Sequence, residues 1–300
     1  MNIQVRQSSP QWQGGFNQSN YFSATYQPEN LPQTIKKLTG THQEKAQALY
    51  QLSLNRESYP DLGILLWESP GTMASLLSEI VAVYPEIAAI SSGTTYTPLN
   101  PEISKAICHT LTLFQSIASH KETRIPFIRA NIPMYLFPFL HTINTSRECE
   151  YFKLTSLGII GTLVKSELPE IINYLNQNGF VPLCLRILKF GKEMSKIVSA
   201  YILQKILYDL NGREYISEAR DRIETILKVL NLVIADLAVN FNPRLSRNIV
   251  PAYRYLLKLP NIQTIMMEMP YDKLMKIKLA DNCDQAFVDL FNQIMAIKGK

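Results

Sequence analysis

Cysteine and glycine are both scarce in this sequence. Its 300 residues contain four cysteines, Cys108, Cys149, Cys184 and Cys283, and no two of them have CxxC spacing. We therefore expect buried free thiols and a reducing compartment. The twelve glycines are few for repeated phosphate-binding loops, and the GxGxxG, GxxxxGK[ST], HExxH and GxSxG motifs are absent. We predict a protein that is not an enzyme.

Metal ligands are equally sparse. His109 directly follows Cys108 on a predicted helix, so the two side chains diverge by about 100° and make a poor ligand pair. Glu148 and Glu150 flank Cys149, but alternate positions of a helix do not face each other. We expect no metal and no cofactor.

Long apolar runs are missing as well. The richest stretches, Leu62–Trp67 and Leu232–Val239, are far shorter than the roughly 18 residues that cross a bilayer. Met1–Gln13 lacks the basic and apolar regions of a secretory signal. We therefore expect a soluble intracellular protein without membrane contact.

The chain falls into two predicted parts. Residues Met1–Asn30 are rich in Gln, Asn and Ser and carry two charges, which is typical of a disordered tail. From residue 31 to residue 300 the apolar pattern becomes helical. Thr41-x-x-Glu44 is a capping box, and Asn100-Pro101 is typical of a helix start. Sustained strand alternation is absent, so the fold class is all-α.

The predicted helices repeat. Tyr151–Val164 and Met194–Leu207 are apolar on more than one side, which is typical of helices that pack between neighbours. Two apolar-Pro-apolar helix starts, at Ile132 and Val181, lie 49 residues apart, and each follows a short middle helix. Three-helix units of this length predict a right-handed armadillo-type superhelical solenoid of about six repeats, with a concave groove lined by the third helices.

Basic residues cluster in one third of the chain, and net charge is +5. Aligned along a groove, these side chains would attract phosphates, which gives single-stranded RNA as an alternative ligand. The other interpretation is an ordinary solvated face. The candidate nucleic-acid contacts are Lys153, Lys165, Arg186, Lys189 and Lys196.

Several blocks resemble, in the same order, the Rcd-one-like cell differentiation family. They are RESYPDLGILLW, GTMASLLSEIV, SIASHKETRIPFI, NIPMYLFPFLHT, EYFKLTSLGIIGTLVK, VPLCLRIL and SAYILQKIL. That family supplies the armadillo-repeat subunit of the CCR–NOT deadenylation complex. The resemblance implies an adaptor that docks on the scaffold subunit of the complex and binds short linear motifs of translational repressors, which promotes mRNA deadenylation and decay. It also implies localisation to the cytoplasm, including mRNA-decay granules, and to the nucleus. Whether the protein forms a homodimer is left open by the sequence.

Three sets of site residues follow from this resemblance. The scaffold interface is implied at Glu68, Pro70, Ala74 and Val81, although the family usually has His and Phe at the first two positions. The peptide-binding groove is implied at Tyr151, Leu154, Thr155 and Gly158. Gly158 allows close approach of a partner helix, and tight packing between repeats is the alternative. Pockets for isolated Trp side chains survive only as a remnant at Arg220, Arg222 and Thr264, because the aromatic wall is lost.

Overall fold

Helices make up most of the described chain. The structure is a computed structural model that describes residues 30–91, 99–142, 144, 146–260, 262–269 and 279–298. Residues 1–29, which belong to the predicted tail, lie outside the described residues, and so does Asn261. No strand occurs among the described residues, in agreement with the predicted all-α class. The α-helices are α1 (Leu31–Lys36), α2 (His42–Leu54), α3 (Leu62–Glu68), α4 (Thr72–Ala82), α5 (Tyr84–Ser91), α6 (Pro101–Ser119), α7 (Arg124–Arg129), α8 (Phe137–His141), α9 (Arg147–Val164), α10 (Pro169–Gln177), α11 (Phe180–Phe190), α12 (Glu193–Tyr208), α13 (Leu210–Ser217), α14 (Arg220–Val239), α15 (Pro243–Leu256), α16 (Ile262–Glu268) and α17 (Gln285–Lys298).

Local signals set where two of these helices begin. The backbone N–H of Glu44 donates to Thr41 Oγ1 over 3.4 Å, and the N–H of Thr41 donates to Glu44 Oε2 over 2.9 Å. This reciprocal pair is the predicted capping box, and it satisfies donors that the helix itself leaves unpaired. Asn100 Oδ1 accepts from the N–H of Glu102 at the start of α6, with Pro101 in the first turn. Both predicted starts are confirmed.

The helices pack in three rows, as a three-helix repeat requires. One row contains α7, α10 and α13, and a second contains α11, α14 and α16. The third row contains α2, α6, α9, α12 and α15, each packed against the next. Because every unit buries its apolar faces against the following unit, no unit closes a core alone.

The third-row helices explain the apolar pattern of the sequence. The helix α9 lies between α6 and α12 and also contacts α8 and α10. Its buried residues, among them Phe152, Leu157, Ile160 and Leu163, point in several directions around the helix. Full burial of one such side chain stabilises a fold by about 1.5–3 kcal/mol. The prediction that this helix packs between neighbours is confirmed.

The two apolar-Pro-apolar starts differ in detail. Asn131 (φ 58°) and Gly179 (φ 75°) adopt the left-handed conformation just before them, which those two residue types tolerate best. Val181 lies in the first turn of α11, whereas Ile132 begins a 3₁₀ helix, Ile132–Leu136, that runs into α8. Prolines at 133 and 138 supply no N–H donors, so a regular α-helical ladder cannot form there.

One apolar segment is longer than the sequence analysis recognised. Thr72–Ala89, which spans α4 and α5, has a mean hydropathy of 1.2 over 18 residues, and only 28% of it is buried. The expectation that no such stretch exists was wrong, because small and apolar residues continue across the turn at Val83. By length and composition alone this segment could cross a membrane, a criterion that core helices of soluble proteins also meet.

The prediction of buried free thiols is confirmed for only two of the four cysteines. All four are free thiols, but Cys149 and Cys184 are buried whereas Cys108 and Cys283 are partly exposed. Burial raises the pKa of the Cys184 thiol to about 12 and that of Cys108 to about 12. A thiol with a raised pKa is a weak nucleophile at neutral pH.

A partly buried histidine joins α2 to α6. His109 Nδ1 lies 2.7 Å from Ser53 Oγ, and Ser53 Oγ lies 3.0 Å from the carbonyl oxygen of Tyr50. Burial lowers the pKa of His109, and the positive charge of Lys105 lowers it further.

This geometry predicts that acid destabilises the protein. The folded-state pKa of His109 lies below its unfolded value, so the contribution is complete above about pH 6.5 and is lost as the pH falls through the folded pKa. Burial and Arg186 lower the pKa of His141 in the same direction. We expect the melting temperature to fall between pH 7.5 and pH 5.5 and to fall less in His109→Asn. An identical pH profile in the variant would contradict this assignment.

Candidate peptide-binding surface

The partly exposed sides of α6, α9, α12 and α15 form what we call the third-row face. On α9, Tyr151, Leu154, Thr155 and Gly158 are all partly exposed. Spacings of three, four and seven residues bring them onto one side of the helix. The structure therefore brings the four predicted groove residues together on this face.

Gly158 occupies an open position. A Cβ atom at residue 158 would meet only Gln115 Nε2, at 3.6 Å, which is an ordinary van der Waals distance. Gly212 shows the opposite case, since a Cβ there would lie 1.9 Å from the carbonyl oxygen of Ile206. Packing between repeats therefore does not require a glycine at residue 158. The residue is partly exposed, and a small side chain there leaves room for a partner.

A chain of polar side chains borders Gly158. Thr162 Oγ1 donates to the Gly158 carbonyl over 2.9 Å, and Gln115 Nε2 donates to Thr162 Oγ1 over 3.4 Å. Arg56, which follows α2, donates from Nη1 to Gln115 Oε1 over 3.3 Å. The amide of Gln115 and the guanidinium of Arg56 thus lie at the edge of the apolar patch on α9. The sequence does not show this arrangement, because Arg56, Gln115 and Thr162 are far apart along the chain.

Tyrosines continue the third-row face beyond α9. Lys205 forms an ion pair with Glu167, and its Nζ lies 5.9 Å from the ring centroid of Tyr201. The rings of Tyr208 on α12 and Tyr255 on α15 meet edge to face at 5.5 Å. This half of the face offers aromatic area, and the charge of Lys205 already has a carboxylate partner.

The predicted nucleic-acid contacts do not form one row. Lys153 is 6% exposed and pairs with Glu150 at 2.9 Å, so its inclusion was wrong: a buried, neutralised ammonium cannot reach a phosphate. Arg186 and Lys189 lie on α11 of the second row, and Arg186 Nη1 is 3.0 Å from His141 Nδ1. Lys165 and Lys196 lie at the end of α9 and on α12.

Four cations form a basic stripe along α15 and the turn that follows it. Arg244, Arg247, Arg254 and Lys258 are exposed, and none forms an ion pair with the described residues. Together with Pro251, the three arginines follow steps of three and four residues, which puts them on one side of the helix, and Lys258 follows in the turn after Leu256. Helix α15 contains no Asp or Glu. The spacing is visible in the sequence and could have revealed this stripe.

The two arginines of the Trp-pocket remnant are already engaged. Arg220 pairs with Glu224 at 2.8 Å and with Glu268 of α16. The Arg222 guanidinium lies 3.7 Å from the ring centroid of Tyr215 and donates to the Tyr215 carbonyl. Thr264 is exposed on α16, one turn before Glu268. Arg220 thus contacts the helix that carries Thr264, whereas Arg222 contacts α13.

The implied scaffold-interface residues share an exposed region. Glu68, Pro70, Ala74 and Val81 are all exposed, and Val81 is 42% exposed. The other side of α4 buries Leu76 and Ile80. Anchoring bonds hold α4 in place: Lys45 pairs with Glu79 at 3.0 Å, and Ser75 Oγ donates to the Leu38 carbonyl over 2.5 Å. The apolar side of α4 thus stays exposed on a well-anchored helix.

No three His, Cys, Asp or Glu side chains among the described residues come together as metal ligands. Ser53 Oγ lies within hydrogen-bonding distance of both His109 Nδ1 and the Tyr50 carbonyl oxygen.

Stacked three-helix units with a partly exposed third row define an armadillo-repeat solenoid. Solved structures share this fold. A designed armadillo repeat protein in complex with the peptide (KR)4 superposes with a TM-score of 0.53 at 16% identity, over 90% of this chain and 99% of that chain. A computationally designed armadillo repeat protein for modular peptide recognition gives 0.56 at 15% identity, over 89% and 99%. The predicted armadillo-type fold is confirmed.

The chain belongs to the Cell differentiation family, Rcd1-like, whose model matches residues 34–297. It is 43% identical over 235 residues to the cell differentiation protein rcd1 of Schizosaccharomyces pombe, covering 78% of this chain and 80% of that protein. It is 42% identical over 211 residues to protein CAF40 of Saccharomyces cerevisiae, covering 70% of this chain and 55% of that protein. The resemblance noted in the sequence is confirmed.

The geometry of Arg220 and Arg222 predicts weak capture of isolated Trp side chains. Glu224 and Glu268 neutralise Arg220, and an exposed cation–π contact with indole is worth only about 0.5–1 kcal/mol. We expect a Gly-Trp-repeat peptide to bind weakly or not at all in a calorimetric titration. Low-micromolar binding that disappears in Arg222→Ala would show that the pocket is intact.

Proposed function

We propose that this protein is a non-catalytic adaptor of the CCR–NOT deadenylation complex. It docks on the scaffold subunit through α4 and α5, and it binds short helical motifs of translational repressors on the third-row face. Simultaneous use of both surfaces brings a repressor-bound mRNA to the deadenylases. It acts in the cytoplasm, including mRNA-decay granules, and in the nucleus. Membership of the family supports the complex, and the open position at Gly158 is the observation that carries peptide binding.

The α4–α5 surface has the properties of a docking site. Apolar residues on an anchored helix remain exposed only at a free-energy cost, unless a partner covers them. Small side chains such as Ala74, Ser78 and Ala82 let another helix approach closely, and Val81 provides apolar area near their centre. This combination supports a helical scaffold as the occupant.

The third-row face has the properties of a helix-binding groove. An amphipathic helix buries its apolar side on Tyr151 and Leu154, and its backbone passes over Gly158 because no side chain stands there. Tyr151 is partly buried, so its orientation is fixed before a peptide arrives. Less entropy is lost on binding when the receptor side chains are already ordered.

The first test is Gly158→Trp. An indole at residue 158 fills the space where the partner helix passes, so helical peptides selected against the wild-type protein should lose binding entirely. Because Gly158 is partly exposed, the indole can extend toward solvent, and we expect the variant to melt near the wild-type temperature. Fluorescence anisotropy and circular dichroism measure the two quantities.

Gly158→Ala is the matched control. Its Cβ is accommodated at 3.6 Å from Gln115, and alanine favours the helix by about 0.5–1 kcal/mol. It should therefore bind peptides and melt no lower than wild type. Peptide binding by Gly158→Trp at wild-type affinity would refute the assignment of the groove.

The second test addresses scaffold docking. Ala74→Tyr and Val81→Tyr each insert a ring that holds the scaffold away from α4, so the scaffold subunit should no longer co-purify. Val239→Tyr is the control, because Val239 is 58% exposed on α14 and lies far along the chain from α4. Wild-type recovery of the scaffold with Ala74→Tyr would exclude this interface.

The stripe on α15 favours a second candidate function, binding of single-stranded RNA. Four exposed cations without carboxylate partners lie close together along the chain and can contact successive phosphates. Tyr255 and Tyr208, next to Lys258 and Lys205, provide rings on which bases stack.

Salt dependence tests this second function. If the stripe binds RNA, affinity for an oligonucleotide should fall steeply from 50 to 200 mM salt, and Arg247→Glu should weaken it and flatten the slope by about one phosphate contact. Lys121→Glu, an equal charge change away from α15, should have a smaller effect. Binding that is independent of salt and of Arg247 would exclude the stripe.

A further inference from the structure

Arg56 is a cation without a carboxylate partner beside the candidate groove. Its guanidinium is partly buried and forms no ion pair with any described residue. Of its five N–H donors, one is used on Gln115 Oε1. The planar fork of an arginine matches the two oxygens of a carboxylate, and partial burial strengthens such a pair.

Three lysines on α6, α9 and α12 differ from Arg56 in this respect, and the unpaired cations of the α15 stripe lie two helices away from α9. Lys105 pairs with Glu102 at 2.9 Å, Lys153 pairs with Glu150 at 2.9 Å, and Lys205 pairs with Glu167. Each of these charges is neutralised within the protein. Arg56 instead donates to a neutral amide oxygen, which orients the guanidinium without neutralising its charge.

The position of Arg56 is tied to Gly158. Gln115 holds Arg56 through one end of its amide, and the other end lies against Thr162 and next to the open space above Gly158. Arg56 is also close enough to Tyr151 for its charge to oppose the increase in pKa that burial causes in the phenol. A helix lying on Tyr151 and Gly158 therefore passes within side-chain reach of Arg56.

We propose that the helix accepted by the third-row face is acidic, and that Arg56, oriented by Gln115, binds an Asp or Glu carboxylate of that helix. This inference rests on the proposed peptide-binding function and adds the chemistry of the partner. Arg56 and Gln115 then determine specificity: apolar contacts with Tyr151 and Leu154 bind many amphipathic helices, and the carboxylate selects among them. A partner with Lys or Arg at that place leaves two cations in contact, which is unfavourable.

A randomised peptide library tests this specificity without a known partner. Phage-displayed amphipathic helices of about 20 residues, with fixed apolar positions and randomised polar ones, are selected against the full-length protein. Peptides that also bind Gly158→Trp are removed. The remaining peptides should be enriched in Asp or Glu at one polar position, whereas selection against Arg56→Glu should enrich Lys or Arg at that position.

One selected acidic peptide then gives the magnitude. Its affinity should fall about tenfold in Arg56→Ala, as expected for loss of a hydrogen bond to a charged group. Replacing the acidic residue of the peptide by its amide should cost a similar factor, and the double change should cost little more than either alone. Gln115→Leu, which keeps the charge of Arg56 but removes its orienting acceptor, should weaken binding by a smaller factor. Lys121→Glu is the control for net charge and should leave the affinity unchanged.

The outcomes separate this inference from the proposed function. Gly158-dependent peptides without acidic enrichment, or with unchanged affinity for both Arg56→Ala and Gln115→Leu, would overturn the role of Arg56 and leave peptide binding intact. Failure to obtain any Gly158-dependent peptide would overturn both. The melting temperature of each variant shows whether it is folded. If an Arg56 variant does not fold, the affinity of Gln115→Leu decides between the outcomes.

Discussion

The packing of each third-row helix between two equivalent helices is the constraint on which the rest of the structure depends. Helix α9 buries apolar side chains against both α6 and α12. Small residues lie at these contacts: Gly161 faces Val198 and Tyr201 of α12, and Ser156 and Ser199 are buried. With both flanks covered, only a narrow side of α9 stays exposed, and every residue implied for the groove lies on it.

The same packing builds the polar edge of the groove. Arg56, Gln115 and Thr162 are far apart in sequence and meet only because α2, α6 and α9 stack in register. Stacking also decides which charges are available to a partner. It buries Lys153, which pairs with Glu150 of its own helix, and leaves the four cations of the α15 stripe exposed. In this solenoid, the stacking of successive repeats thus determines which polar groups meet and which charges remain exposed.

Predictions from the sequence succeeded where a signal is local or periodic. The capping box at Thr41, the start at Asn100-Pro101 and the face shared by Tyr151 and Gly158 depend on spacings of three, four or seven residues. They failed where a property depends on neighbours from other repeats. Lys153 was assigned to a surface because nothing in its spacing shows that α9 buries it. The segment Thr72–Ala89 was missed because hydropathy was judged by unbroken apolar runs, and serines and glutamates such as Ser78 and Glu79 interrupt them.

The sequence by itself determined the all-α class, the repeating helical unit and the family, since periodicity and ordered blocks of residues are properties of the chain. The tertiary structure alone decided that Gly158 is open, that Arg220 is neutralised and that Arg56 is left without a carboxylate. The physical reason is that burial, and any partner supplied by another repeat, depend on distances between atoms that are far apart in the sequence. Lys153 pairs within its own helix and is covered by neighbouring helices, whereas Arg56 is only partly buried and meets a neutral amide of α6.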